Sequence, residues 1–248
     1  MPLLDVRNLR KDFGGLRAND EISFGLEEGE LLGVIGPNGA GKTTLFNCIA
    51  GLHPLTAGQI MFDGTDITRL PAFAVARRGL ARTFQVYAAS GDLCVQENVM
   101  VGAFMHTRNR RQARVQANDI LKKLNLGEVA GAMVSELPVA AQKRVTMATA
   151  LATSPKLLLL DEVAAGLNPG EIDEIMAIIR AVHRNMGITV MLIEHVMELV
   201  MTISDRVIVL DYGRKIADGS PRQIADDPKV IKAYLGERYV HDHIGEAT

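Results

Sequence analysis

The sequence predicts an α/β fold with a mainly parallel core sheet, an antiparallel β subdomain and a helical insert. Three observations point there. An apolar run from Leu31 to Ile35 leads into Gly36-Pro37-Asn38-Gly39-Ala40-Gly41-Lys42-Thr43-Thr44, and a helix-like run from Thr44 to Ala50 leads out. Lys156 to Leu160 and Ile188 to Ile193 are apolar runs of the kind that strands covered on both faces require, and a helical pattern lies between them. Strand and helix alternating after residue 140 predict a parallel, doubly wound sheet. Residues 1–66, by contrast, read as short strands and turns wrapped onto the start of that core.

Taken in order, Leu3 to Leu9 alternates as a half-buried strand, Phe13-Gly14-Gly15 turns, and Asn19 to Leu26 is a second strand. Gly29-Glu30 turns into the strand that feeds the glycine loop. Thr56-Ala57-Gly58 is expected to be another turn, Gln59 to Phe62 a short strand, and Asp63-Gly64 a hairpin turn. Pro71 to Arg78 reads as a helix with proline in its first turn. Ala81 to Phe84 is strand-like and stops at Gln85. From Val95 to about Val134 the pattern is helical, with Val99, Phe104, Val115, Ile120, Leu121 and Leu124 as anchors and Gly127 as a stop. That insert carries Arg108, Arg110, Arg111 and Arg114, which make either a solvated face or a docking surface. Ala141 to Ala152 is a helix, and Pro169 opens another that runs through Glu171 to Asn185, with Gly187 as its stop. Glu194-His195 precedes a helix to Ile203. Arg206 to Leu210 and Lys215 to Ala217 pair around Tyr212-Gly213, and Pro221 to Tyr239 reads as two short helices.

Composition narrows the classes. The 248 residues suffice for a sizeable core, 48% are hydrophobic, and tryptophan is absent, so the core is aliphatic. A net charge of −2 lacks the electrostatic footprint of a general nucleic-acid binder. No apolar run approaches the ~18 residues needed to cross a bilayer. Asp5, Arg7, Arg10, Lys11 and Asp12 interrupt any apolar signal segment. Cys48 and Cys94 form neither a disulfide framework nor a metal spacing, and Cys48 reads as a small core residue. These features suit a protein of a reducing cytosol.

The loop fits G-x-x-x-x-G-K-[ST] in full, and the residue types explain why such a loop binds phosphate. Gly36, Gly39 and Gly41 let backbone N–H groups close around phosphate oxygens. The helix that follows adds its positive end. Lys42 places a charge on the β- and γ-phosphates, and the Thr43 hydroxyl can ligate Mg²⁺. At the end of the later strand, Asp161 puts a carboxylate where Mg²⁺ would sit, and Glu162 is placed to polarise an attacking water.

With these residues in view, the sequence resembles the nucleotide-binding cassette of ABC transporters over nearly its whole length. Gln85 matches the family's Q-loop, His195 its switch histidine, Ala165-Gly166-Leu167-Asn168 its D-loop, and Phe13 the aromatic that stacks on adenine. Phe13-Gly14-Gly15-Leu16, Ala81-Arg82-Thr83-Phe84-Gln85, Ala164 to Pro169, Glu194-His195 and the tail Val230 to Gly236 look like the ATPases of branched-chain amino acid importers. The resemblance implies one P-loop ATPase domain over residues 1–240. Residues 1–84 and 155–220 would form the core with its β subdomain, 85–154 the helical subdomain, 221–240 C-terminal helices and 241–248 a tail. It implies ATP held by Phe13, by Gly36 through Thr44 and by Gln85. Mg²⁺ would be held by Thr43, Gln85 and Asp161, and hydrolysis would depend on Lys42, Glu162 and His195. It implies a second cassette, two membrane permeases and, indirectly, a periplasmic binding protein as partners, with no nucleic acid, and a peripheral position on the cytoplasmic face of the inner membrane. The rival readings are a non-transport cassette and an exporter of lipid or polysaccharide. His241-Asp242-His243 reads as a frayed terminus rather than a metal site.

One stretch departs from the family. Its signature loop, usually L-S-G-G-Q, reads here Leu137-Pro138-Val139-Ala140-Ala141. The serine and both glycines are gone. A helix N-terminus aimed at phosphate keeps about 0.3–1 kcal/mol of attraction, whereas each lost charge-assisted hydrogen bond costs on the order of 1.5–3 kcal/mol. Thr149 also replaces an expected arginine, and Val163 the proline after the acidic pair. The expectation is an asymmetric pair of composite sites, unless this loop is a variant whose backbone still does the work.

Overall fold

Alternation decides the first strands. In β1 (Leu4–Phe13), Leu4, Val6 and Leu9 are buried, and in β2 (Leu16–Leu26) so are Ile22, Phe24 and Leu26. The two pair antiparallel, Leu4 opposite Leu26 and Phe13 opposite Leu16, around the expected Gly14-Gly15 turn. This computed structural model describes residues 1–83 and 90–234. The chain divides into two compact units, Met1–Ala72 with Met191–Thr248, and Phe73–Val190.

In the first unit, β3 (Leu31–Ile35) is buried at every position and runs into the glycine loop, which opens α1 (Lys42–Ile49). Cys48 on α1 is buried, and burial pushes its thiol up to about 11, as a core residue requires. After α1, β4 (Ala57–Phe62) and β5 (Thr65–Asp66) complete an antiparallel sheet of order β2-β1-β4-β5. The turn expected at Thr56-Ala57-Gly58 is instead the start of β4. Gly58 takes φ +97° against the Asn8 and Arg7 carbonyls, where the register between β1 and β4 shifts. The Asp63-Gly64 turn is as expected, with φ 47° and 71° at its two residues, the mirror-image turn that suits the twist of a two-residue hairpin.

The second unit is mainly helical. It opens near α2 (Ala72–Arg77) and β6 (Leu80–Arg82). The single helical stretch expected from Val95 to about Val134 is interrupted. α3 (Val95–Ala103) and α4 (Arg110–Lys123) are separate, and a short 3₁₀ turn follows at Val134–Glu136. Thr107 and Asn109 break the run, because Asn109 caps α4 by accepting from the Arg111 and Gln112 N–H groups. Val99, Ile120, Leu121 and Leu124 are buried as expected, but Phe104 and Val115 are exposed. Continuing helical periodicity across the break had put these two on the wrong face. Arg108, Arg110, Arg111 and Arg114 all face solvent.

α5 (Val139–Leu151) leads to β7 (Leu157–Asp161), fully buried and parallel to β6. α6 (Pro169–Met186) carries both end signals. Asn168 and Glu171 form a capping box, and Gly187 closes the helix in the left-handed region at φ 66°. β8 (Thr189–Ile193), again buried throughout, takes the chain back to the first unit. There α7 (Met197–Ile203) precedes β9 (Arg206–Asp211), which pairs parallel with β3, and β10 (Arg214–Gly219) returns antiparallel to β9. α8 (Pro221–Ala225) follows, and residues 228–234 are helical. The core is thus parallel at β3/β9 and at β6/β7, with β10 the antiparallel exception.

Helices α3 and α5 approach closely at Gly102. A Cβ there would stand 2.1 Å from the Thr149 carbonyl oxygen and 3.0 Å from the Ala152 side chain. Gly102→Ala is therefore expected to destabilise the protein by about 1–3 kcal/mol through overpacking, although alanine is the better helix former. Denaturant unfolding checks this. An unchanged or raised midpoint overturns the close-packing account.

Candidate functional site

The glycine loop is shaped by the backbone around it. Gly36, Gly39 and Gly41 have φ of 152°, 81° and 95°. At Gly36 a Cβ would meet the Leu210 carbonyl oxygen at 2.1 Å, and at Gly41 the Ala18 carbonyl oxygen at 2.4 Å. Glycine is thus required twice, once by conformation and once by space. A Cβ at Gly39 would meet nothing within 4 Å, so that side of the loop is open. Asn38, Gly39 and Thr43 are exposed, Ala40 is buried, and Pro37 and Thr44 are half-buried. No side chain caps α1 at Gly41, so its N-terminus keeps its backbone donors and positive end for an anion.

Lys42 is buried, and its Nζ donates to the carbonyls of Gly36 (2.7 Å) and Pro37 (3.0 Å) of its own loop. A buried ammonium held by neutral carbonyls can exchange them for anionic oxygens, which bind it more strongly. Two outside segments hold the loop. The Asn19 Nδ2, fully buried, donates to the Gly41 carbonyl at 3.1 Å. The Gly213 N–H donates to the Ala40 carbonyl at 3.1 Å, while the Gly213 carbonyl accepts from the Asp20 N–H at 2.8 Å. Asp20 in turn receives Arg214 at 2.6 Å and Arg17 at 3.1 Å. Sequence reasoning placed Asn19 at the start of a strand and missed this role. A polar side chain at a buried strand position is the one signal that pointed to it.

Phe13 ends β1 with its ring 43% exposed. The Lys11 ammonium lies 4.6 Å from the ring centroid, and His53 meets the ring edge-on at 5.4 Å. The ring is thus held in place while remaining accessible for stacking. His195 is exposed just past the end of β8, next to the buried Glu194.

The second unit carries the acidic pair. Asp161 closes β7 with its side chain fully buried, paired with Arg82 at 2.6 Å. The Thr83 hydroxyl donates to the Leu159 carbonyl at 3.4 Å and accepts the Asp161 N–H at 3.3 Å. Glu162 is half-buried and has φ +50°, an uncommon conformation for a residue with a side chain, and one of the kind that clusters at active sites. The Lys143 Nζ donates to the Glu162 carbonyl at 3.1 Å, tying helix α5 to this residue. Arg82 and Lys143 were not singled out from sequence, since basic residues at a strand end and on a helix have no local signature. At the start of α5, Pro138 occupies the cap position and supplies no side-chain hydrogen bond. Gln85 and His241-Asp242-His243 lie outside the described residues. Among the described residues no cluster of three His, Cys, Asp or Glu side chains could hold a metal, and no helix is long and apolar enough to cross a membrane.

Comparison with known proteins gives this geometry a family. The family model for "ABC transporter" matches residues 19–165, and that for "Branched-chain amino acid ATP-binding cassette transporter" matches residues 214–240. The chain is 41% identical to the high-affinity branched-chain amino acid transport ATP-binding protein BraF of Pseudomonas aeruginosa, over 95% of this chain and 98% of that one. It is 40% identical, with the same coverage, to the corresponding protein LivG of Escherichia coli K12. The lipopolysaccharide export system ATP-binding protein LptB of the same organism is 34% identical over 96% of this chain and 99% of that one. Among solved structures, a nucleotide-free ATP-binding cassette from an ABC transporter superposes with a TM-score of 0.87 at 30% identity, covering 96% of this chain and 100% of that chain. A glycine loop built for phosphate, a strained glutamate after a buried strand and a likeness that runs from end to end have one explanation: this chain belongs to the ABC transporter family, as one of its ATP-binding cassettes.

Proposed function

We propose that this chain binds and hydrolyses ATP as a subunit of an ABC import complex for branched-chain amino acids or related small polar solutes. The observation that carries the reading is the greater identity, over nearly the full length, to the two branched-chain amino acid transport proteins than to the export protein, joined by the C-terminal family match. The loop fits a triphosphate: positive-φ glycines, an uncapped helix N-terminus and a lysine resting on exchangeable carbonyls are what the group needs. Phe13 would carry the adenine and Gly36 through Thr44 the phosphates. Mg²⁺ would be held by Thr43, Gln85 and Asp161, an all-oxygen donor set that suits a hard cation, and would neutralise phosphate charge. Glu162 orients and polarises the attacking water, and His195 steadies the γ-phosphate.

In this reading residues 1–240 act as one cassette, and residues 85–154 engage a permease. The cassette works beside a second cassette on two membrane permeases fed by a periplasmic binding protein. It sits peripherally on the cytoplasmic face of the inner membrane. The changed signature loop makes the two composite sites unequal. The site built on this chain's own loop and Glu162 is the hydrolytic one, and the site facing Pro138 to Ala141 is weak. The absence of a side-chain cap at Pro138 supports that assignment, because a serine there supplies an oxygen that proline lacks.

Three substitutions test this. Lys42→Ala should weaken ATP binding ~10- to 100-fold by removing a charged partner worth about 1.5–3 kcal/mol, read by nucleotide titration. Glu162→Gln should keep binding while turnover falls ~10²- to 10⁴-fold, the usual worth of a general base. Wild-type turnover in that variant removes Glu162 from the role. Replacing Pro138, Val139 and Ala140 by Ser, Gly and Gly should raise ATPase activity of the assembled complex, and an unchanged rate in a folded complex rejects the asymmetric arrangement.

A further inference from the structure

Lys11 lies on β1, two residues before Phe13, and is buried, with only 9% of its surface exposed. A lysine ordinarily lays its stem on apolar surface and keeps its ammonium in water. Here the Nζ donates instead to the Pro54 carbonyl at 3.0 Å and stands over the Phe13 ring, 4.6 Å from its centroid. Among the described residues this ammonium forms no ion pair. A buried cation held by one neutral carbonyl and one ring face is costly to keep. The phosphate chemistry of the site makes no use of it.

The ammonium takes one face of Phe13 from the buried side, so the exposed part of the ring belongs to its other face and its edge. His53 adds a second wall, its ring at 84° to that of Phe13 with centroids 5.4 Å apart. Both contacts lead to one short segment, which is fastened to the helix that the glycine loop opens. The Leu52 and His53 N–H groups donate to the Asn47 carbonyl of α1 at 2.8 and 3.1 Å. Farther along, the Thr56 N–H donates to the Arg10 carbonyl and the Asp12 N–H to the Thr56 hydroxyl, each at 2.9 Å. The position of the ring relative to α1 is thus set through residues 52–56. The cation also acts on the ring's electrons. Aromatic faces are negative, so two faces laid directly together repel. An ammonium on one face draws electron density toward itself and leaves the opposite face better suited to a stacked base.

We propose that Lys11 is a positioning residue for the nucleotide's base. Its buried ammonium, anchored on the Pro54 carbonyl, makes Phe13 a one-sided platform, held at a fixed reach from α1, on which the base stacks away from the cation. This inference rests on the nucleotide-binding reading above and adds to it a residue that acts on the base and not on the phosphates.

The test uses the full chain as wild type, Lys11→Gln, Lys11→Met, Lys11→Arg, Phe13→Ala and the double variant Lys11→Gln/Phe13→Ala. Each is titrated with Mg-ATP, challenged with inorganic tripolyphosphate as a competitor that has no base, and melted without ligand. Lys11→Gln keeps an amide donor for Pro54 but removes the cation. It should raise the Kd for Mg-ATP ~3- to 10-fold, the loss expected for a partly desolvated cation–ring contact, while the inhibition constant of tripolyphosphate stays at the wild-type value. Lys11→Met should behave in the same way and melt lower, since it also leaves the Pro54 carbonyl unpaired. Lys11→Arg, which returns a cation to the ring, should recover most of the Mg-ATP affinity. In the Phe13→Ala background Lys11→Gln should cost nothing further, because the ring through which it acts is gone. Wild-type Mg-ATP affinity in Lys11→Gln overturns the proposal. So does an equal loss for Mg-ATP and tripolyphosphate, or the full loss repeated in the Phe13→Ala background, because Lys11 then acts on the fold or the phosphates. In each of these cases the nucleotide reading stands. If the wild type itself binds no Mg-ATP, both fall.

Discussion

Gly41 marks the point where the glycine loop becomes helix α1, and the space it leaves is occupied by the Ala18 carbonyl oxygen and the Asn19 amide. The loop is a stretch of glycine-rich backbone, and such a stretch keeps its shape only if its polar groups find partners. Asn19 takes the Gly41 carbonyl, Gly213 the Ala40 carbonyl, and Lys42 the carbonyls of Gly36 and Pro37. With these satisfied, α1 begins without a side-chain cap, beside the exposed Asn38 and Gly39. Preorganisation of this kind is what lets backbone amides bind an anion without reordering at each encounter.

The acidic pair in the second unit rests on a different constraint. β7 is buried at every position, so its end carries Asp161 into a region poor in water. A carboxylate there needs a cation, and Arg82 from the neighbouring strand β6 supplies one. The next residue leaves the strand in the left-handed region, which costs an ordinary residue on the order of 1 kcal/mol. Glu162 bears that cost with its carbonyl held by Lys143. The residue as a whole is half-buried.

The helical part of the second unit shows how small residues permit close approach. Gly102 brings α3 against α5 backbone to backbone, and Ala113 and Ala117 on α4 are fully buried. The outward face of α4 carries Arg110, Arg111 and Arg114, with Arg108 just before it, all exposed. A helix with alanines inward and arginines outward gains its stability from packing on one side and keeps the other for solvent.

Much of the architecture was legible from residue order. The glycine loop declared itself because its function needs glycines at fixed positions, and β3, β7 and β8 did so because a strand covered on both faces leaves no room for polar residues. The two ends of α6 were marked by Asn168, Pro169 and Gly187, since capping is local chemistry. The break before α4 is marked only by the local cap at Asn109, which the apolar spacing carried across it hides. What else failed to show depended on partners distant in the chain, such as the Gly58 bulge, where only the neighbouring strand gives that glycine its reason. The roles of Asn19, Arg82 and Lys143 have no local signature, and each matters through the backbone or carboxylate atom it meets. Sequence by itself determined that a phosphate loop and a strand-end acidic pair exist, because those rest on local conformation and residue type. Tertiary structure alone decided which side chains hold them in shape, because a hydrogen bond between residues such as Asn19 and Gly41 exists only once the chain has folded back on itself.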